Sequence, residues 1–217
     1  MGAHFQRRPA LRCVLALATR GDAISAAQLS RCADVGQILE LALGHALTHR
    51  QAERAALTDP LTGLANRRGL KQLVRERRGR RSFAVLAIDV DKLKAVNHRN
   101  GHAVGDELLR LVAEAIGNAL RDGDVLARIG GDEFVAVTFE ADQASATAVA
   151  QRMLESVRAA RTDGLQPRIS IGVAHASQTD DAALVLRRAD AALYEAKRLG
   201  GARYRTADTD VPLPHLA

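Results

Sequence analysis

A nearly continuous apolar run at residues 82–90 limits the possible folds of this chain more than any other feature of its sequence. Its centre, residues 83–88, contains no polar side chain, and polar residues bound it on both sides. A short run of this kind predicts a strand that is buried within a sheet. The chain must therefore supply other strands beside this one and helices to cover it.

Beyond residue 66, helical and strand patterns alternate along the chain. The predicted helices are residues 66–77, 106–120, 144–160 and 181–199, and the predicted strands are residues 82–90, 125–129, 134–139, 167–176 and 203–205. The second and third of these strands flank a Gly-Gly turn, which is typical of a hairpin. This order predicts an α/β or α+β domain with mixed strand directions.

The segment before this domain predicts one long helix, from about residue 26 to residue 56. That length exceeds the usual helix of a globular protein, which favours a connector or a dimerising helix. An ordinary helix packed on the next domain is an equal alternative. Residues 12–19 are rich in Val and Leu and predict a short strand, and Asp59, Pro60 and Gly63 predict the end of the helix.

The positive net charge of the chain favours anionic partners but does not say which kind. The net charge is +6, which suits phosphate-bearing ligands, nucleic acid or an anionic membrane. Basic side chains concentrate at residues 67–81, and no aromatic residue lies among them, so we do not expect single-stranded nucleic acid to stack there. The apolar run at residues 13–18 is too short to cross a membrane, and Cys13 and Cys32 have no metal-type spacing. We therefore expect a cytoplasmic protein with reduced thiols, no membrane span and no nucleic-acid partner.

Two acidic pairs are the strongest chemical signal. Asp89 and Asp91 stand at the C-terminal end of the buried strand, and Asp132 and Glu133 stand at the Gly-Gly turn, where the glycines predict a positive φ and a close approach to a ligand. Each pair alone is more often a helix cap or a turn former. Two acidic pairs on neighbouring loops would form an oxygen-rich pocket suited to Mg²⁺ and to phosphates. Together they favour metal-assisted phosphoryl or nucleotidyl transfer.

Several blocks of the sequence, taken in order, resemble the GGDEF family of diguanylate cyclases. Residues 130–134 read Gly-Gly-Asp-Glu-Phe, the motif from which that family takes its name. The other matching blocks are residues 59–68, 89–97, 101–106, 170–174 and 191–197, so the resemblance covers residues 57–205. It implies an α+β fold with a central, mixed, mostly antiparallel five-stranded sheet flanked by helices, preceded by the long N-terminal helix.

The resemblance also implies a metal-dependent enzyme that joins two GTP molecules into cyclic di-GMP and releases two pyrophosphates. Asp89 and Asp132 match ligands of Mg²⁺ or Mn²⁺ through their carboxylates, and Val90 matches a ligand through its carbonyl oxygen. Glu133 matches a residue beside the metal and the attacking hydroxyl. Gly130 and Gly131 would let the turn lie against the ribose and the α-phosphate. Asp89, Asp132 and Glu133 are thus the candidate catalytic residues.

The substrate-binding positions also follow from the resemblance. Asn97 and Asp106 match residues that recognise guanine, and Lys94 and Lys197 match residues that contact phosphates. Because each domain would hold one GTP, the reaction needs a homodimer, and the N-terminal helix could bring two domains together. Arg121 and Asp124 match an Arg-x-x-Asp site at which cyclic di-GMP inhibits the enzyme.

Three sites depart from the family pattern: the pair Lys92-Leu93, where a pair ending in Phe is common, His98 in place of Asp, and Gly201 in place of Arg. The last change removes a phosphate-binding arginine, for which Arg198 or Arg203 could compensate. The alternative function is therefore a catalytically degenerate GGDEF module that binds GTP or cyclic di-GMP as a sensor or scaffold.

The expected domains are a partial strand at residues 1–24, a connector or dimerising helix at residues 25–57, the GGDEF domain at residues 58–207 and a flexible tail at residues 208–217. The first segment resembles the last strand of a GAF-type sensor.

Overall fold

The computed structural model describes residues 25–79, 82–160, 166–176 and 180–207. The chain divides into two compact units, Met1–Arg54 and Ala55–Ala217. Most of the helix α1, Ala26–Leu57, belongs to the first unit, and no helix among the described residues is long and apolar enough to cross a membrane. The strand predicted at residues 12–19 and the tail predicted from residue 208 lie outside the described residues.

The second unit contains a five-stranded sheet flanked by helices. Its helices are α2 (Arg67–Arg78), α3 (Leu93–Asn100), α4 (His102–Gly117), α5 (Gln143–Ala159) and α6 (Ala182–Arg198), and its strands are β1 (Phe83–Val90), β2 (Val125–Arg128), β3 (Glu133–Phe139), β4 (Ile169–Ala176) and β5 (Tyr204–Thr206). The strand order is β2-β3-β1-β4-β5, with only β4 and β5 parallel. The predicted α+β fold with a mixed, mostly antiparallel sheet is therefore confirmed.

One helix of the unit has no counterpart in the apolar pattern. The helix α3 has eight residues, of which only Leu93 is buried, so it carries almost no periodic signal. Next to it, α4 begins at His102, four residues before the predicted start at residue 106, and ends at Gly117 rather than at residue 120. Gly101 separates the two helices with a φ of 85°, a conformation that favours glycine.

The central strand β1 is buried on both faces because helices cover both sides of the sheet. All eight residues of β1 are buried, and alternate side chains enter two different apolar clusters. On one face Leu86 and Ile88 join residues of α4 and α5, and on the other Phe83 and Val85 join residues of α2 and α6. The apolar run at residues 82–90 thus forms the buried strand that its composition predicted, beginning at Phe83.

The packing of α6 on β4 depends on Gly172. A Cβ atom at this position would overlap the main chain of α6 at Ala189 and Leu193. Because the glycine lets α6 lie directly on the sheet, the last turn of this helix reaches the edge where β1 ends. That edge carries the acidic residues predicted to be functional.

Candidate functional site

The end of β1 and the start of β3 place several acidic groups at one edge of the sheet. Asp89 faces Glu133 in the antiparallel register, and the Val90 N–H donates to the Asp132 carbonyl oxygen at 3.0 Å. Asp89 is 6% exposed, and its Oδ2 lies 2.6 Å from Nζ of Lys197, on α6. The structure therefore brings together five of the predicted site residues: Asp89, Val90, Asp132, Glu133 and Lys197.

The electrostatics of this edge favour a bound cation. Burial raises the pKa of Asp89, the neighbouring charges of Asp132 and Asp91 raise it further, and Lys197 opposes these effects. Negative charges that repel one another in this way are stabilised by a cation between them. Lys197 provides one positive charge, and a metal ion at this edge would have to share Asp89 with it.

The donor set fits a magnesium or manganese ion that also binds phosphates. Within the described ranges, no group of three or more His, Cys, Asp or Glu side chains could hold a metal ion by itself. Mg²⁺ usually takes only one or two carboxylates from the protein and completes its octahedron with water and substrate phosphates. Asp89 and Asp132 can supply those two carboxylates.

Asp91 has a structural role that its spacing from Asp89 does not predict. Its Oδ1 accepts a hydrogen bond from Oγ of Ser170 at 2.7 Å, and its Oδ2 accepts one from the Ala202 N–H at 2.8 Å. The Asp91 carboxylate thus links the loop between α6 and β5, through Ala202, to strand β4, through Ser170. The pair read from the sequence as Asp89 and Asp91 therefore divides into one residue at the candidate site and one that supports the loop beside it.

The Gly130-Gly131 turn differs from the prediction in its backbone. Neither glycine has a φ in the left-handed region, so the expected positive φ is wrong. A Cβ on Gly130 would lie 2.5 Å from Oε2 of Glu133, so a larger residue there would make the Glu133 side chain move. A Cβ on Gly131 would meet no atom within 4 Å, so this face of the turn is open to a ligand.

Arg128 fixes the turn to the start of the domain, a role the sequence analysis did not assign. Its Nη2 donates to the Gly131 carbonyl oxygen at 2.7 Å, and its Nη1 lies 3.0 Å from Oδ1 of Asp59, a residue just beyond α1. Thr62 donates to the same Asp59 oxygen through its N–H and its hydroxyl. Burial raises the pKa of Asp59, but the hydrogen bonds from Thr62 and Arg128 outweigh burial and lower it overall. Asp59 lies in a block of the resemblance and Arg128 lies two residues before the Gly-Gly-Asp-Glu-Phe motif, and this resemblance was the only signal in the sequence.

A cavity of about 620 Å³ opens beside the turn, and we call it the α3–α4 pocket. It is lined by Leu93, Lys94, Asn97, His98, His102, Asp106, Leu109, Arg128, Gly131 and Asp132. Asn97 Oδ1 is buried there without a hydrogen-bond partner, which costs free energy unless a ligand donor satisfies it. The pocket thus unites Asn97, Asp106 and Lys94 with Asp132, while Glu133 and Lys197 lie outside its lining.

The predicted inhibitory pair lies in the loop between α4 and β2. The Arg121 N–H donates to Oδ2 of Asp124 at 3.0 Å, and Oδ1 of Asp124 accepts from the Phe139 N–H at 3.4 Å. Arg77 supports the same loop through hydrogen bonds to the carbonyl oxygens of Gly123 and Asp124. The Asp124 carboxylate therefore holds the loop, whereas Arg121 is an exposed residue.

The two candidates to replace the missing arginine are both engaged locally. Arg198 Nη2 pairs with Oε2 of Glu195 at 2.9 Å, one turn back on the exposed face of α6. Arg203 Nε donates to the Gly201 carbonyl oxygen at 3.1 Å. Gly200 and Gly201 have φ values of 103° and 72°, so the turn after α6 uses conformations that favour glycine.

Comparisons with known proteins agree on one family. The sequence profile described as "Diguanylate cyclase, GGDEF domain" matches residues 56–203. Diguanylate cyclase DgcP of Pseudomonas aeruginosa is 33% identical over 174 residues, which cover 74% of this chain and 25% of DgcP. Cyclic di-GMP phosphodiesterase PdeR of Escherichia coli is 35% identical over 156 residues, which cover 69% of this chain and 24% of PdeR.

The solved structures include the coiled coil and GGDEF domain of DgcB from Caulobacter crescentus in complex with c-di-GMP. This structure superposes on the chain with a TM-score of 0.68 and is 30% identical to it in sequence. The match covers 82% of this chain and 98% of the DgcB chain. The chain spans less than half the length of these curated relatives, between 24% of PdeR and 45% of Diguanylate cyclase DgcM of E. coli.

Proposed function

Because the chain belongs to the GGDEF diguanylate cyclase family, we propose that it condenses two GTP molecules into cyclic di-GMP with release of two pyrophosphates. The observation that carries this proposal is the convergence of Asp89 and Asp132 at one sheet edge, beside a pocket with an unpartnered amide oxygen. Two carboxylates for a cation and a polar pocket for a base are the parts that a nucleotidyl transfer needs.

In this proposal the α3–α4 pocket binds guanine. The Asp106 carboxylate accepts hydrogen bonds from N1–H and the 2-amino group of guanine, and Asn97 pairs its orphaned Oδ1 with a ligand donor. Adenine offers no such donor edge, so the same polar groups would remain unpaired against ATP. Recognition of GTP therefore rests on Asn97 and Asp106.

The triphosphate lies along the acidic edge. Asp89, the Val90 carbonyl oxygen and Asp132 would hold Mg²⁺ or Mn²⁺, and the ion would neutralise phosphate charge and favour ionisation of the attacking hydroxyl. Lys94 and Lys197 are the phosphate-contacting cations, and Lys197 also pairs with Asp89. Gly130 and Gly131 let the turn lie against the ribose and the α-phosphate.

The reaction is one displacement carried out twice. The 3′-oxygen of one GTP forms a bond to the α-phosphorus of the other, and the bond from that phosphorus to pyrophosphate breaks. Glu133 accepts the proton of the 3′-hydroxyl. Because each domain holds one GTP, two copies must face each other. The helix at residues 25–57 pairs the two chains and so raises the effective concentration of one catalytic domain near the other.

Residues 58–207 form the catalytic domain in this proposal. GTP as substrate places the protein in the cytoplasm. Cyclic di-GMP binds at Arg121 and Asp124 and inhibits the enzyme, with Arg121 contacting its phosphate and guanine.

A degenerate module that binds GTP or cyclic di-GMP without turnover is the second candidate. Two observations favour it: Gly201 replaces an arginine, and both Arg198 and Arg203 are engaged in local contacts.

One assay separates the two candidates. Purified full-length chain at high concentration is incubated with GTP and Mg²⁺, and cyclic di-GMP and pyrophosphate are quantified. We expect product from the natural sequence and from Asp122→Asn, an exposed control with the same charge change, and none from Asp132→Asn. Absence of product from the natural sequence, with retained GTP binding, would reject the enzyme in favour of the module.

A further inference from the structure

A second cavity lies against the same turn as the α3–α4 pocket, and we call it the arginine pocket. Its volume is about 540 Å³, and it is lined by Asp59, Asn66, Arg67, Arg68, Arg128, Ile129, Gly130 and Gly131. Three arginines thus line one cavity, and Asp59 is the one acidic residue in its lining. None of the functions argued above uses Arg67 or Arg68.

The arginines of this pocket differ in how far their charge is already neutralised. Arg128 is paired with Asp59, and its side chain is 11% exposed. Arg67 donates to the Ile129 carbonyl oxygen at 3.5 Å, a neutral acceptor, and also interacts electrostatically with Asp190 on α6. Arg68 is exposed and forms no ion pair with any described residue. Positive charge therefore remains in the cavity, mainly on Arg68.

The position of the pocket connects it with the proposed reaction. Arg128 and Gly131 line both the arginine pocket and the α3–α4 pocket, so the two cavities adjoin at the Gly130-Gly131 turn. The carboxylate of Glu133 folds back toward Gly130, which lines the arginine pocket and not the α3–α4 pocket. A hydroxyl group that gives its proton to Glu133 would thus approach from the side of the arginine pocket.

We propose that the arginine pocket is an anion subsite that binds a phosphate group of the second nucleotide, the one held by a second copy of the chain. This inference rests on the proposed function, because that function brings two nucleotides together across this turn. Guanidinium groups suit the task, since their planar donors bind phosphate oxygens in pairs. The subsite would hold the second nucleotide so that its 3′-hydroxyl lies next to Glu133.

The first experiment measures anion binding without turnover. Inorganic pyrophosphate is titrated into the full-length chain in the presence of EDTA, so that no divalent cation contributes, and binding is followed by calorimetry. We expect Arg68→Ala to weaken binding about tenfold, the effect of losing a charge-assisted pair of hydrogen bonds. Arg68→Lys should recover only part of it, because an ammonium lacks the fork of the guanidinium.

The matched control is Arg75→Ala. Arg75 is an exposed arginine on the same helix, α2, and lies outside the pocket, so this variant makes the same charge change elsewhere. We expect it to bind pyrophosphate like the natural sequence. Equal binding by the natural chain and by Arg68→Ala, or an equal loss in Arg75→Ala, would overturn the subsite.

A second experiment distinguishes a nucleotide phosphate from free anions. The affinity for GTP and the rate of cyclic di-GMP formation are measured for the same variants with Mg²⁺. We expect Arg68→Ala to keep its GTP affinity within about twofold, because its own guanine pocket is intact, and to form product about tenfold more slowly. Weaker pyrophosphate binding with an unchanged rate would mean that the pocket binds free anions only and would reject the nucleotide. If the natural chain forms no product, the proposed function fails, while the EDTA titration still decides whether the anion subsite exists.

Discussion

At the scale of single residues, Gly105 decides where a predicted substrate-binding side chain can lie. A Cβ at this position in α4 would overlap Oδ1 of Asn97, on α3. The absence of a side chain on one helix therefore sets the position of an amide on another. Sequence blocks place the two residues near each other, but only packing shows that one depends on the other.

We expect Gly105→Ala to weaken GTP binding about tenfold, because the displaced Asn97 amide loses a hydrogen bond to the base. Thermal stability should change little, since the added helix propensity of about 1 kcal/mol offsets the displacement. The control is Gly117→Ala, in the same helix, where a Cβ would meet no atom within 4 Å. Equal GTP affinity in both variants, measured by calorimetry, would contradict the role of Asn97.

The ion pair of Asp59 and Arg128 gives a prediction about pH. The pKa of Asp59 is lowered in the folded chain from an ordinary value of 3.8. A lowered folded-state pKa stabilises the fold above pH 3.8, and this contribution is lost as the pH falls through the folded value.

Asp59→Asn should therefore lower the free energy of unfolding by about 2 kcal/mol at pH 7, because Arg128 loses a largely buried partner. Urea unfolding at pH 7 and at pH 3 should show that the difference from the natural sequence shrinks at the lower pH. Asp122→Asn, at an exposed position, is the control and should change neither value. A difference that stays constant with pH would argue against the ion pair.

Replacing Arg121 should weaken product inhibition without disturbing the loop that Asp124 holds. Arg121→Ala leaves the hydrogen bonds of Asp124 in place, since Arg121 contributes its main-chain N–H, so we expect weaker product inhibition without a loss of stability. The measurement is the concentration of cyclic di-GMP that halves the rate, which should rise at least about tenfold for the loss of a charged phosphate contact. Unchanged inhibition would defeat the assignment of this site.

At the scale of elements, the contact between α6 and β4 joins stability to the site. Gly172 lets α6 lie on the sheet, and Lys197 at the far end of α6 reaches Asp89. Asp91 fastens the loop that follows α6. A change in how α6 packs on the sheet should therefore affect both the stability of the fold and the geometry of the acidic edge.

Gly172→Ala should destabilise the fold by about 3 kcal/mol, because the added methyl group meets main-chain atoms of α6 that cannot move alone. Gly117→Ala serves again as a control for the chemical change. Chemical denaturation of both variants measures the effect. A Gly172→Ala variant as stable as the natural sequence would show that α6 can shift without cost.

At the scale of the whole molecule, the described part of the first unit presents apolar side chains to solvent. Exposed large hydrophobic residues on α1 are Val35, Ile38, Leu39, Leu41 and Leu47. A single helix with so many exposed apolar residues is typical of one that pairs with another helix. This agrees with the proposed dimer, in which a second copy covers α1.

We expect Ile38→Asp to raise at least about tenfold the protein concentration at which the rate per chain is half maximal, because a charge in an apolar helix interface opposes association. The control is Gln37→Asp, which introduces the same charge at the neighbouring exposed position. Rates across a range of concentrations, with ultracentrifugation of the same samples, measure both properties. Activity independent of concentration for all three chains would contradict the dimer.

The sequence by itself determined the layers of the fold and the main acidic residues of the candidate site. Continuous and periodic apolar patterns are local, so they predicted β1, the hairpin and four helices of the second unit, while α3 had too few buried residues to leave a pattern. The ordered blocks identified Asp89 and Asp132, and the structure brings these two together.

Only the tertiary structure decided which partners the charged side chains around the site have. Asp91 supports a loop 111 residues away in the chain, and Arg128 joins the turn to Asp59 across 69 residues. The arginine pocket likewise forms where the start of α2 meets the hairpin. Such contacts depend on how the helices and strands pack, and the local spacing of residues carries no information about that packing.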